Sequence, residues 1–137
     1  MLLAGSAVLT RSAFAALPVP PDNILAFRLI RHGSEIGRHT LTFEPKGDTL
    51  TVQIAVDALV TLLSIPIVHY THRVTEVWQD GRLAGVTGET DKNGQHEGVS
   101  AHRGSEGLVV LGRKTKRYVA PEPAGSTSYW NRRLLDG

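Results

Sequence analysis

The chain has no cysteine among its 137 residues, which excludes disulfides, thiolate metal sites and cysteine nucleophiles together. Cysteine absence leaves the compartment open, because many exported proteins do without it. Aromatic residues are scarce, at 6%, so where they fall carries information. Charge of either sign is modest: a net +2 with Lys and Arg spread along the chain. The one basic cluster, Arg113, Lys114, Lys116 and Arg117, reads as a strand edge guarded by cations. It is not the concentrated basic surface that nucleic-acid binding requires. Also missing are a helical period of useful length, an internal repeat, a G-x-S-x-G elbow and a glycine-rich phosphate cradle before a helix.

What remains is enough for one globular domain. Its 41% hydrophobic and 20% charged residues exclude gross disorder, and the length supports one real core. Residues 1–15 read as a signal peptide. An apolar stretch, MLLAGSAVLT, is followed by Ala13-Phe14-Ala15, which fits the small-x-small pattern of a cleavage site. The stretch is too short for a membrane span, and Arg11 interrupts it. No basic n-region precedes Leu2, so an upstream start would have to supply it. Residues 16–23, with Pro18, Pro20 and Pro21, read as an extended linker, and 24–137 as a single β domain. Localisation is expected to be periplasmic or secreted.

From Asn23 onward the chain reads as strands punctuated by turns. Strands are expected over Ile24–Arg31, Glu35–Glu44, Thr49–Leu63, Val68–Gln79, Arg82–Thr90, Gln95–Arg103 and Leu108–Ala120. The strongest hairpin signals are Asp80-Gly81 and Asn93-Gly94, since type I′ turns demand positive φ at both central residues. Thr49 onward alternates cleanly, with Leu50, Val52, Ile54 and Val56 inward and Thr51, Gln53 and Asp57 outward. The alternation fails over Leu59–Val68, where nearly every residue is apolar. The expectation is a strand end buried on both sides or a crossover under the sheet. The alternative is an apolar lip or a contact patch for a partner or membrane surface. The fold class is all-β, an antiparallel meander forming a curved sheet or partial β-barrel.

Function candidates concentrate on one strand. Period-two alternation puts Tyr70, His72, Val74, Glu76 and Trp78 on a single face, where two polar groups among aromatics must find partners, water or a ligand. His72 and Glu76 lie roughly 13 Å apart along the strand, too far for a direct hydrogen bond. Glu76 is expected to pair with an Arg, and His72 with His39 or a hydroxyl. His69 and His72 point to opposite faces, and His96 and His102 lie about 20 Å apart. No spacing therefore demands a metal, and neither metal nor cofactor is expected. A concave face lined by Tyr70, His72, Glu76 and Trp78, with Phe27, Phe43 and His39 from neighbouring strands, suits an apolar small molecule or lipid-like ligand. The alternative is an interaction or structural module using the apolar stretch or an open sheet edge. A hydrolase or isomerase acting through His72 and Glu76 ranks below both.

The segments FRLIRHGSEIGRHTLTF, YTHRVTEVWQDGRL, TDKNG, YVAP and TSYWN together resemble an uncharacterised family of exported bacterial proteins, a domain of unknown function. The resemblance covers Ile24 to Leu135. It implies a mostly β fold and an envelope location, and no reaction. Family members continue past the SYWN segment with further strands, which implies a sheet shortened here at its C-terminal end. Such a sheet has an unpaired edge unless the chain forms a homodimer.

Overall fold

The computed structural model describes residues 17–128 together with 130 and 131. The leader-like stretch of residues 1–15, and Tyr129 of the SYWN segment, lie outside the described residues. The chain folds into one eight-stranded antiparallel sheet in strict sequence order. The strands are β1 (Ile24–Arg31), β2 (Ser34–Lys46), β3 (Thr49–Leu62), β4 (Ile65–Gln79), β5 (Arg82–Lys92), β6 (Gln95–Gly104), β7 (Gly107–Gly112) and β8 (Tyr118–Ala120). The meander expected from the turn signals is therefore the fold, and it remains an open sheet rather than a closed barrel.

Local chemistry explains the hairpins. His32-Gly33, Asp80-Gly81 and Asn93-Gly94 each carry positive φ at both central residues, as tight two-residue turns between twisted strands require. Asn93 does more than turn: its side-chain Oδ1 accepts from the His69 amide at 2.7 Å, and its own amide donates to the His69 carbonyl at 2.9 Å. The turn between β5 and β6 thereby buttresses β4.

One face carries the core. Leu41, Phe43, Leu50, Val52, Ile54, Trp78, Leu83 and Leu108 form one buried cluster, and fully burying each such side chain contributes about 1.5–3 kcal/mol. A single sheet needs cover to bury a face. Leu17 and Val19, in the stretch read as a linker, pack against the cluster from before β1, while Ala124 and Trp130 pack from after β8. The opposite face is largely polar and exposed, apart from the buried Val109. There the Arg73 guanidinium grips both oxygens of Asp57, at 2.7 and 2.9 Å, and donates to the Val56 carbonyl at 2.8 Å.

Two expectations are corrected. Leu108–Ala120 is not one strand: the chain bends over residues 113–117 and only Tyr118–Ala120 rejoins as β8. Four cations in five residues, Arg113, Lys114, Lys116 and Arg117, favour solvent over a ladder position. Leu59–Val68 is neither buried on both sides nor a crossover. It is the outer end of the β3–β4 hairpin, with Leu62, Leu63 and Ile65 exposed, because neither neighbour pairs with it: β2 runs on to Ser34 but pairs there with β1, and β5 ends at Lys92. Pairing of β2 with β3 ends at Gly37↔Ala58, and pairing of β4 with β5 ends at Tyr70↔Lys92.

Candidate ligand-binding face

Strand register arranges the covered face into rows that run across the sheet. The row nearest the cover contains Leu50↔Trp78 and Trp78↔Leu83. Next comes Phe43↔Val52↔Glu76↔Val86. Leu25↔Leu41↔Ile54↔Val74↔Gly88↔Val99 follows. The fourth row is Phe27↔His39↔Val56↔His72↔Thr90↔Glu97, contributed by six successive strands. Beyond it lies Gly37↔Ala58↔Tyr70↔Lys92. Exposure rises from the first row to the last.

The seven residues expected to line a site thus share one face but divide between two environments. Phe43, Glu76 and Trp78 are core: Glu76 has no exposed surface, and Phe43 and Trp78 almost none. The Glu76 partner is not an arginine. Its Oε2 accepts from the Trp78 and Trp130 indole N–H groups, each at 2.9 Å, while the Trp130 ring stands edge-on to Phe43 and Trp78 at 5.3 and 5.5 Å. Two indoles serve because they supply donors without charge and fill apolar volume around the carboxylate. Glu76 Oε1 is enclosed without a hydrogen-bond partner among the described residues.

Phe27, His39, Tyr70 and His72 form the open half. Phe27 is 50% exposed and its ring lies 5.9 Å from that of His39. Tyr70 stacks near-parallel on His72 at 6.3 Å. His72 Nδ1 lies 2.7 Å from Thr90 Oγ1, the hydroxyl alternative of the sequence expectation. Partial burial, then the neighbouring His39 and Arg73, push the His72 imidazole below its ordinary pKa of 6.5, so it is neutral at pH 7. His39 Nε2 is buried with no hydrogen-bond partner among the described residues.

Beside His72 the face sinks into a cavity of about 230 Å³ walled by Thr90, Val99 and the Glu97–Lys114 ion pair. The pair closes at 2.5 Å, and the Lys114 ammonium holds the Glu97 carboxyl below the usual range. Gly88 makes room: a Cβ there would lie 3.1 Å from Val99 Cγ1 and 3.4 Å from Val74 Cγ2. Sequence patterning did not select Gly88, Thr90, Val99 or Glu97. The Asn93-Gly94 turn was the available signal, since it fixes Thr90 opposite Glu97 and Gly88 opposite Val99. Among the described residues no three His, Asp or Glu side chains converge as a metal site would require.

These features define an open, all-β protein with one apolar face, half covered by chain and half bare. The chain belongs to a family described as a domain of unknown function (DUF6134), whose pattern matches residues 27–137. Neither the curated proteins nor the solved structures contain a match.

Proposed function

We propose that the protein binds an apolar small molecule or lipid-like ligand on the uncovered half of its sheet face, in the cell envelope or outside the cell. The observation that carries this reading is the continuation of the core face beyond its cover. Past Ile54 and Val74 the face becomes a row of half-exposed aromatic and histidine side chains, with a buried, unpartnered His39 nitrogen among them. A buried polar atom without a partner costs about 1–3 kcal/mol, and a ligand that displaces the half-exposed Phe27 ring from His39 and offers a carbonyl, hydroxyl or carboxylate recovers it. Phe27, Tyr70 and Val99 supply apolar contact, while neutral His72 and the Thr90 hydroxyl supply further polar handles. Phe43, Glu76 and Trp78 hold the face rigid from below. The leader-like segment supports export.

A titration with a long-chain fatty acid, followed by NMR, tests the assignment. Signals of Phe27, His39, Tyr70, His72 and Val99 should move together and saturate, while those of Leu83 and Leu108 stay fixed. Uniform or unsaturable shifts would sink the reading.

A second reading, pairing between copies along β1, is favoured by position. Strand β1 ends the sheet among the described residues, and Ile24 and Ile30 on it are about half exposed. Sedimentation at rising protein concentration distinguishes it.

A further inference from the structure

From an observation independent of the ligand-binding reading, we infer that the β3–β4 hairpin tip is a membrane-docking element that dips its apolar end into the surface of a phospholipid bilayer. From Ala58 to Val68 the chain carries no charge. Beyond its pairing with β2 and β5 the hairpin is a two-stranded ribbon, with Leu59↔His69, Val60↔Val68, Thr61↔Pro66 and Leu62↔Ile65 paired. Leu59 and Ile67 are 46% exposed, Leu62 61%, Ile65 65% and Leu63, at the apex, 90%.

These side chains occupy both faces and the end of the ribbon. A flat protein partner, including a second copy, reaches only one face, and two or three aliphatic side chains fall far short of the ~800 Å² per partner of a stable interface. A surrounding apolar medium covers every side at once.

The turn itself gives a second line of evidence. Leu63 and Ser64 both hold positive φ, at 51° and 66°, with neither Gly nor Asn to relieve it. The other turns with two positive φ values among the described residues place Gly second and His, Asp or Asn first. A leucine in that conformation is strained, and it is also the most exposed large hydrophobic residue of the described chain. Strain held at a surface point marks a place shaped by something other than stability.

The base of the hairpin suits headgroup depth. Tyr70 and Lys92 face each other one row below the ribbon, residue types that place an apolar stem low and a polar end high. Backbone groups at the base are satisfied, because Asn93 bonds the His69 amide and, through Nδ2 at 3.4 Å, the Ile67 carbonyl. Pro66 removes one donor altogether. The outer edges nearer the tip keep unpaired groups, which confines the hairpin to shallow insertion, about 5–10 Å into the headgroup–acyl boundary.

The absence of cysteine makes the test clean. A Ser64→Cys variant labelled with an environment-sensitive fluorophore should brighten with phosphatidylcholine vesicles, while a Ser105→Cys variant, labelled at the opposite end of the sheet, should not. Leu63→Asp should weaken vesicle partitioning by about tenfold or more without loss of thermal stability, since Asp tolerates this backbone conformation better than Leu. No response at Ser64, equal response at both sites, or a concentration-dependent dimer abolished by Leu63→Asp without any vesicle response would each overturn the inference. Fatty-acid binding on the open face is unaffected by any of these results, so the two proposals stand or fall separately.

Discussion

Glu76 is fully buried in the core face. A carboxylate with no exposed surface accepts two indole hydrogen bonds on one oxygen, and the two indoles come from β4 and from the segment after β8. The bond from Trp130 therefore ties the C-terminal cover to the sheet. Trp130→Phe keeps the edge-on contacts with Phe43 and Trp78 but deletes one of the two donors to a buried oxygen. It should cost about 1–3 kcal/mol in urea unfolding, and the same substitution on a Glu76→Leu background should cost less. At His72 the sign follows from its lowered pKa. The unfolded chain takes up a proton near pH 6.5 while the folded imidazole does not, so stability is present above 6.5 and declines as pH falls from there through the folded pKa. His72→Gln should flatten that part of the stability–pH curve; an unchanged slope would show that His72 is not its source.

At the scale of elements, β-bulges decide what the face presents. Between Arg31↔Ser34 and Phe27↔His39 the register slips by one, at Leu29/Ile30. It slips again at Val60/Thr61 between β3 and β4, and at Val77/Trp78 between β4 and β5. A one-residue slip exchanges the faces of a strand relative to its neighbour. Reading straight back from Asp80-Gly81 would set Glu89 opposite His72; the extra residue Ala84 sets Thr90 there instead. Most strand positions, the inward set of β3 and the common face of Tyr70, His72, Glu76 and Trp78 were legible, because alternation and turn chemistry are local; the start of β4 and the break between β7 and β8 were not. The division of that face was not legible, since it depends on which rows Trp130, Leu17 and Val19 happen to cover. The Leu59–Val68 tip was misread because an apolar run looks the same buried or exposed; only the points where pairing with β2 and β5 ends distinguish them. Close approach of two strands gives the element-scale prediction. A Cβ at Gly37 would lie 1.9 Å from the Asp57 carbonyl oxygen and 2.7 Å from Ala58 Cα, both backbone atoms that cannot swing aside. Gly37→Ala should therefore lower stability by roughly 1–3 kcal/mol, read as a fall in the denaturation midpoint.

Across the whole molecule, exposure is graded along the strands. The end bearing the β2–β3, β4–β5 and β6–β7 turns holds the covered core. The middle holds the aromatic–histidine row, and the far end holds the uncharged hairpin tip. A sheet in simple sequence order produces such a gradient because every second turn falls at the same end. The arrangement puts the bare half of the face next to the tip, so a ligand held over Val56 would sit within reach of whatever surface the tip touches.

The most direct test of the central claim is native mass spectrometry of the protein purified gently from its own type of host. Ligand binding on the open face should give a reproducible adduct with the mass of a lipid or another hydrophobic small molecule, released by organic solvent and exchangeable for added fatty acid. A bare protein mass that persists after incubation with fatty acid would contradict it.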